Sequence, residues 1–286
     1  MRTIRYKNIL VPFDFGESYR YAFQAAEEIA LRSDACITLV HVCNPVALYV
    51  PEPAARFGFA TIPNLPDEQE KELLLREFAN NSALPENKIK IIVSSGDWNR
   101  EIIKLCSELY IDLVLVPDFE KTTLDRLLSD INPPLLIEKT KVPVISVNCA
   151  LKNFKINKIV MPIRDVKNWF DKIPFTVDLA RLTGAKIYVF GLCESNAESA
   201  CAVILDKIAR CREYLQLNYY NFVIENIRDN KDTDLEALKF AESKNADLIA
   251  VTPPHSFFKL RSYFSKEFYN RIISKGKVPV FTVTCA

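Results

Sequence analysis

Glycine and histidine are scarce in this chain, with 6 glycines and 2 histidines among 286 residues. Loops that cradle phosphates need glycine, because backbone N–H groups must come close and adopt positive φ. No glycine lies in the stretches 113–142 and 248–275, where a fold of alternating strands and helices would place such a loop. Only His41 and His255 could serve as imidazole ligands, so neither a metal nor a cofactor is expected.

The eight cysteines contain no Cys-x-x-Cys pair. Most of them lie inside apolar runs, so we interpret them as buried, reduced thiols. The sequence also lacks a Ser-His-acid order, a reactive-cysteine signature and a paired-carboxylate motif. These absences favour a protein that is not an enzyme.

Long apolar runs are missing too. Stretches such as Leu113–Val116 have the length of a strand and are far too short to cross a membrane. The first residues, Met1–Lys7, carry no apolar signal segment, so a cytoplasmic location is expected. No basic stripe with interleaved aromatic residues supports nucleic-acid binding.

The small net charge of +1 hides an asymmetry between the halves of the chain. Residues 1–150 hold 16 Lys+Arg and 21 Asp+Glu, and residues 151–286 hold 21 and 15. Two solvated surfaces that drifted apart in charge would explain this. The alternative is that an acidic half and a basic half attract each other across an internal interface.

The chain repeats one pattern twice. Each copy opens with an apolar strand that runs into proline, at Pro12 and Pro162, and closes on Val-Pro-Val, at Val142 and Val278. Strands alternate with amphipathic helices between these points, which predicts two doubly wound α/β domains with five parallel strands each. We place the domains at residues 1–150 and 151–286. The predicted strands are Lys7–Asp14, Cys36–Val42, Ile89–Ser94, Asp112–Val116 and Val142–Val147, then Lys158–Pro162, Lys186–Leu192, Tyr219–Glu225, Asp247–Val251 and Val278–Val283.

The order of these cues resembles the universal stress protein family, and its tandem two-domain members most closely. Val11-Pro12-Phe13-Asp14, Ile111–Val116 and Val142-Pro143-Val144 are similar to the first, fourth and fifth strands of the family, and the second copy repeats the cues. The resemblance implies a Rossmann-like fold and a pseudo-dimer in which the fifth strands pair antiparallel. We therefore expect Val142–Val147 and Val278–Val283 to form that seam, within the chain or between chains.

The family divides by a nucleotide loop of the form G-x2-G-x9-G-[S/T] between strands four and five. Laid over the first copy, this loop places Pro117, Glu120 and Asp130 where the three spaced glycines would be. Proline offers no N–H, and one carboxylate about 4 Å from a phosphate costs roughly 4 kcal/mol at an effective dielectric of 20. A micromolar affinity amounts to only about 8 kcal/mol. ATP binding is therefore expected to be lost or weakened.

The second copy has no glycine in its loop either, but the loop is basic. Here His255, Lys259, Arg261 and Lys266 could contact an anion, although a solvated basic loop is the favoured interpretation. The aromatic residues of this loop either cover the vacated pocket or form a surface for a partner.

A ligand of the first copy is expected at the ends of strands one, two and four, at Pro12, Asp14, Val40, His41 and Pro117. In nucleotide-binding relatives the acid that matches Asp14 meets the adenosine. The missing loop favours the alternative, in which Asp14 caps the helix that follows. We interpret His41 as a half-exposed side chain that only fills space, and we favour this over a role as a general base.

These observations favour a non-enzymatic universal stress response protein that acts through contacts with an unidentified protein partner. It would be an internal pseudo-dimer that could also form a homodimer. Two alternatives stay open: a sensor of ATP, AMP or another small ligand in the first-copy crevice, and a slow ATP hydrolase or phosphotransferase.

Overall fold

The computed structural model describes residues 6–43, 68–118, 131, 133–148, 154–193, 198–229, 232–252, 272 and 278–283. We call residues 6–148 the first repeat and residues 154–283 the second repeat. Five prolines predict an irregular loop at Asn44–Pro66. This loop and the predicted boundary after residue 150 lie outside the described residues. The sequence also predicts a helix at Glu267–Lys275, of which only Ile272 is described.

The first repeat alternates strands and helices as the sequence predicts. A short 3-10 helix at Glu86–Lys88 precedes its third strand. The elements are β1 Asn8–Pro12, α1 Glu17–Ser33, β2 Cys36–Cys43, α2 Glu68–Ala79, β3 Ile89–Ser95, α3 Trp98–Glu108, β4 Leu113–Asp118, α4 Pro133–Thr140 and β5 Val144–Asn148.

The second repeat follows the same order, with one additional short strand, β9, that the sequence did not predict. The elements are β6 Lys158–Ile163, α5 Lys172–Thr183, β7 Lys186–Cys193, α6 Glu198–Asn218, β8 Phe222–Ile224, β9 Arg228–Asp229, α7 Thr233–Ser243, β10 Leu248–Val251 and β11 Val280–Thr282.

Helix α1 shows how the sequence produces these elements. Its buried residues Ala22, Ala26, Ile29 and Ala30 recur at a spacing of three or four, so they form one apolar face against the sheet. The opposite face carries charge, and Arg32 Nη2 lies 2.7 Å from Glu28 Oε1 one turn earlier. The helix ends where Asp34 adopts the left-handed conformation, with φ 55°.

The strands form one sheet with the order β3-β2-β1-β4-β5-β11-β10-β6-β7-β8, and β9 pairs with β7 off this path. Within each repeat every strand pair is parallel, whereas β5 and β11 pair antiparallel with Phe281 opposite Ile145. The predicted seam between fifth strands is thus confirmed, and it lies within the chain. It joins two doubly wound Rossmann-like sheets into a pseudo-dimer.

A proline precedes the first residue of each strand of the seam. The predicted strands Val142–Val147 and Val278–Val283 contain Pro143 and Pro279, and this was wrong: each proline immediately precedes its strand, and both strands are central in the joined sheet. Proline has no N–H to donate to a neighbouring strand in the middle of a sheet, but its carbonyl oxygen can still accept a hydrogen bond. Val114 N–H donates to Pro143 O (2.9 Å), and Ile249 N–H donates to Pro279 O (3.0 Å).

An aspartate before the fourth strand of each repeat fastens the start of the first strand. Asp112 accepts hydrogen bonds from the backbone N–H groups of Lys7 (2.8 Å) and Asn8 (3.2 Å). Asp247 does the same for Asn157 (2.8 Å) and Lys158 (2.9 Å). The repeat therefore extends from strand order to individual hydrogen bonds.

Apolar and polar contacts tie the repeats together beyond the seam. Tyr6 is 1% exposed, and its hydroxyl donates to the carbonyl of Phe175 in α5 at 2.8 Å. Each ion pair found among the described residues lies within a single repeat. These ion pairs thus give no support, in this part of the chain, to the alternative that an acidic half and a basic half attract each other.

None of the helices in the described ranges is long and apolar enough to span a membrane.

Candidate functional site

Ligands of doubly wound sheets bind where the strand order reverses, outside the carboxyl ends of the strands. The reversal lies between β1 and β4 in the first repeat and between β6 and β10 in the second. We call the carboxyl ends of β1, β2 and β4 the first crevice, and those of β6, β7 and β10 the second crevice.

The structure brings the predicted residues of the first crevice together. Pro12 pairs with Val40 in the ladder between β1 and β2, and Pro117 lies at the end of β4 on the other side of β1. Pro12, Val40 and Pro117 are buried, and Asp14 projects outward with its side chain 52% exposed. The five positions therefore share one sheet edge, as predicted.

His41 is 4% exposed, so our expectation of a half-exposed side chain was wrong. Its Nδ1 lies 2.9 Å from the carbonyl oxygen of Phe13, which can only accept, so Nδ1 carries the hydrogen. Nδ1 also lies 3.7 Å from Asp14 Oδ1. Burial lowers the pKa of His41, against the opposing effects of the Phe13 hydrogen bond and the Asp14 carboxylate. The ring is thus a neutral, fixed side chain at neutral pH.

Aromatic rings pack around His41 at the end of β2. Phe15 lies 5.2 Å from the His41 ring, and Trp98 meets the same ring edge-to-face at 5.5 Å. Phe13 continues the contacts to Phe15 (5.6 Å) and Phe78 (4.3 Å). These five residues, Phe13, Phe15, His41, Phe78 and Trp98, are the first-crevice aromatic cluster.

Phe15 reaches its place in the cluster through an uncommon backbone conformation. Its φ is 57°, in the left-handed region that non-glycine residues enter at a cost. The conformation holds the ring over His41 on one side, and Lys71 Nζ lies 4.5 Å from the Phe15 ring centroid. Residues with a strained backbone cluster at functional sites.

The expectation that Asp14 caps the following helix was also wrong. The cap residue of α1 is Gly16, in extended conformation. The backbone carbonyl of Asp14 accepts from Gly16 N–H at 2.6 Å, which turns the chain into the helix. The turn leaves the Asp14 carboxylate at the crevice mouth, beside His41. Contact between Asp14 and a ligand stays a prediction.

The second crevice differs at the position that corresponds to His41. Gly191 in β7 pairs with Ile163 in β6. It lies 150 residues after His41, and the same offset separates Pro12 from Pro162. A Cβ atom at Gly191 would lie 2.5 Å from Ile204 Cγ2 and 2.9 Å from Ile208 Cδ1. Helix α6 therefore packs directly against the backbone of β7 in the space that a side chain would need.

A lysine is buried beneath the second crevice. Lys172 is 2% exposed and its Nζ donates to the carbonyl of Pro162 at 2.6 Å. Burial, together with the nearby positive charges of Arg164 and Lys207 and against an opposing effect of Cys211, lowers the pKa of Lys172 to about 7. Lys207 in turn lies 2.5 Å from Asp165 Oδ1. Three basic side chains, Lys172, Arg164 and Lys207, therefore lie near this end of the sheet, and the Asp165 carboxylate pairs with one of them.

Sequence reasoning missed Lys172, Gly191 and the aromatic cluster around His41. Superposing the repeats at an offset of 150 would have pointed to two of them, since Lys172 falls on Ala22 and Gly191 on His41. The cluster carries no such signal, because its rings come from four separate segments of the chain.

Several predicted residues lie outside the part of the chain that the structure describes. They are Glu120, Asp130, His255, Lys259, Arg261 and Lys266. Their roles stay predictions.

A cavity of about 480 Å³ lies away from both crevices, beside the amino-terminal end of β3. Arg76, Leu84, Ile89 and Ile91 line it. Within the described ranges, no group of three or more His, Cys, Asp or Glu side chains could hold a metal ion. The described cysteines are thiols, and burial raises the pKa of Cys106 and Cys211 to about 12.

The strand order, the antiparallel seam and the two crevices define a tandem, doubly wound α/β protein. The model of the universal stress protein family matches residues 5–148, and the chain belongs to this family. No sequence among the curated proteins matches it.

Two solved structures share this fold over nearly the whole chain, and a third is similar to about half of it. A universal stress protein from Archaeoglobus fulgidus DSM 4304 is 14% identical, aligns over 98% of this chain and 97% of its own, and gives a TM-score of 0.71. A protein of unknown function from Pseudomonas aeruginosa PAO1 is also 14% identical, with coverage of 97% and 92% and a TM-score of 0.62. A shorter Archaeoglobus fulgidus universal stress protein in complex with dAMP is 13% identical, with coverage of 46% and 99% and a TM-score of 0.36.

Proposed function

We propose that this protein is a non-enzymatic universal stress protein that acts through protein contacts and has lost or weakened ATP binding. The observation that carries the proposal is that the protein's own side chains pack closely at the strand ends of both crevices. The first holds the aromatic cluster around His41. The second holds buried Lys172, with α6 packed against Gly191.

The predicted loop chemistry points the same way. Pro117 is buried at the end of β4, where the loop of nucleotide-binding relatives has its first glycine. Proline cannot donate a hydrogen bond to a phosphate oxygen. Glu120 and Asp130 would add carboxylates along the phosphate path, which repel a triphosphate.

The chemistry of the first crevice supports a role without catalysis. The Nδ1 hydrogen of His41 is committed to the carbonyl of Phe13, and the ring is covered by Phe15 and Trp98. A general base must reach the proton that it abstracts, and a buried ring between two aromatic side chains does not. The same proposal places the protein in the cytoplasm as a pseudo-dimer with a protein partner.

Apolar side chains on the outer helices support contact with that partner. Leu73 on α2 and Leu205 on α6 are exposed. The two helices correspond to each other, because each follows the second strand of its repeat. Exposed leucines cost free energy in water unless another surface covers them.

Isothermal titration calorimetry with Mg-ATP tests the proposal. We expect no saturable heat below millimolar ATP, since no loop of glycines holds the phosphates. Saturable binding at tens of micromolar would contradict the loss of ATP binding. Metal-dependent phosphate release above a buffer blank, abolished in Asp14→Ala, would contradict the non-enzymatic role.

One observation favours a second candidate, a sensor of AMP or another small ligand. The half-exposed Asp14 carboxylate lies at the mouth of the first crevice, where it could accept hydrogen bonds from a ribose. Titration with AMP distinguishes this candidate, because a sensor would bind AMP at tens of micromolar and Asp14→Ala would abolish the heat.

A further inference from the structure

Two cysteine sulfurs lie close together at the second crevice. Cys193 is the last residue of β7, Cys201 lies near the start of α6, and their Sγ atoms are 3.1 Å apart. A disulfide joins its sulfurs at about 2.05 Å, so a movement of about 1 Å would bring these two to bonding distance.

The packing of α6 on β7 fixes this arrangement. Gly191 lies two residues before Cys193, and Ile204 lies one turn after Cys201. The helix approaches so closely that a Cβ at Gly191 would lie 2.5 Å from Ile204 Cγ2. Both sulfurs are therefore positioned by a strand and a helix that contact each other directly, which favours a reproducible geometry.

The two thiols differ in exposure. Cys193 is 1% exposed, whereas Cys201 is half-buried. An oxidant in solution therefore meets Cys201 first, and Cys193 is placed to attack from inside. This division of roles is that of an attacking and a resolving cysteine.

The first repeat provides an internal comparison. Cys43 lies 150 residues before Cys193 at the end of β2, and it is half-buried. Among the described residues, no cysteine sulfur forms a hydrogen bond with Cys43. Burial raises the pKa of the Cys43 thiol, helped by the charge of Glu68 and opposed by that of Lys71, which lowers its thiolate fraction.

We propose that Cys193 and Cys201 form a reversible intramolecular disulfide by exchange with a low-molecular-weight disulfide such as glutathione disulfide. The Cys201 thiolate attacks one sulfur of the oxidant, forming a mixed disulfide and releasing one thiolate of glutathione. The Cys193 thiolate then attacks Cys201 Sγ and releases the second. The two protons of the cysteine thiols end on two glutathione thiols, so one disulfide is consumed and one is formed.

The bond would tie the start of α6 to the end of β7, beside the second crevice. A disulfide that forms and breaks in a reducing compartment serves redox sensing or catalysis rather than permanent stabilisation. The site would thus give a stress protein a direct chemical response to an oxidised thiol pool. This inference is independent of whether the crevices bind a nucleotide.

The experiment exposes the full-length protein to glutathione buffers of increasing oxidised fraction, quenches with acid, and counts thiols by maleimide labelling and intact mass. A Cys36→Ser background removes an exposed thiol that would form adducts on its own. We expect this protein to lose two thiols together without retaining glutathione, a Cys193–Cys201 cross-link in the peptide map, and recovery of both thiols in dithiothreitol.

Three variants in the same background complete the test. Cys193→Ser should retain one glutathione on Cys201, because nothing resolves the mixed disulfide. Cys201→Ser should keep its Cys193 thiol reduced and show no change in mass. Cys43→Ser should behave like the background protein. The proposal is overturned if the background protein keeps all its thiols across the buffer series, if the cross-link joins another pair, or if Cys193→Ser still forms an intramolecular disulfide.

Discussion

The environment of Lys172 departs from what its side chain prefers. An ammonium group is costly to bury, and Lys172 has one carbonyl partner, Pro162, with Arg164 and Lys207 as neighbouring charges. Its position corresponds to Ala22 in the first repeat. The second repeat therefore holds a long polar side chain where the first holds a methyl group.

Replacement of Lys172 by methionine should change how stability depends on pH. The folded pKa of about 7 lies below the ordinary value of 10.5, so the unfolded chain binds more protons between these values. The free energy of unfolding of the native protein, relative to Lys172→Met, should therefore rise from pH 7 to pH 10 by up to about 1.4 kcal/mol per unit. Urea unfolding at several pH values measures it.

The exposed Lys167 supplies the control for that comparison. Its replacement by methionine should leave the dependence on pH as in the native protein. A constant difference between native protein and Lys172→Met across this range would contradict the burial of a neutral amine.

The sequence predicted which residues meet at the first crevice, but not the state of each. Pro12, Asp14, Val40, His41 and Pro117 follow the ends of predicted strands, and parallel strands end at one edge, so their proximity could be predicted. The burial of His41 depends on Phe15 and Trp98, which come from a turn and from another helix. Such contacts between segments have no periodicity in the sequence.

At the scale of elements, the close contact of α6 with β7 is a feature in which the second repeat differs from the first. Ile204 and Ile208 lie against the backbone at Gly191, whereas β2 carries His41 at this position. The glycine therefore has a packing role, since Gly191 has no positive φ to explain it. The same contact positions Cys201 against Cys193.

Gly191→Ala tests this packing. The new methyl group would overlap Ile204, so we expect a loss of about 1–3 kcal/mol in the free energy of unfolding. Ile204→Ala alone creates a cavity and also destabilises, but the double variant should lose less than the two single variants together. Chemical unfolding of the four proteins gives the coupling, and strictly additive losses would contradict a direct clash.

Most elements could be predicted because apolar periodicity and helix signals agree. The spacing of Phe23, Ala26 and Ala30 predicts a helix at Glu17–Arg32, and α1 lies at Glu17–Ser33, while β2 differs from its predicted range by one residue. β9, with two residues, is too short to show a pattern. β8 was expected at Tyr219–Glu225 and is only Phe222–Ile224, because Tyr219 instead packs its hydroxyl against the carbonyls of Ala180 and Ala185.

For the whole molecule, the seam between β5 and β11 makes one sheet of two repeats. Only three residue pairs form the ladder, so further contacts between repeats have to contribute. Tyr6 is one such contact, since its buried hydroxyl donates to Phe175 in the other repeat. A hydrogen bond of this kind contributes about 1 kcal/mol.

Tyr6→Phe should therefore lower the free energy of unfolding by about 1 kcal/mol, with the side chain otherwise still filling its site. Tyr110→Phe is the matched control, because Tyr110 is 83% exposed and its hydroxyl should contribute little. Urea unfolding compares them. Equal stability of the two variants would contradict a contribution of Tyr6 to holding the repeats together.

The central claim concerns both crevices of the molecule, and a crystal structure grown with millimolar Mg-ATP tests it most directly. The account predicts that Phe15, His41 and Trp98 keep their contacts and that no triphosphate density appears at the ends of β1 and β4 or of β6 and β10. A nucleotide seated beside Pro117, with main-chain N–H groups holding its phosphates, would contradict it.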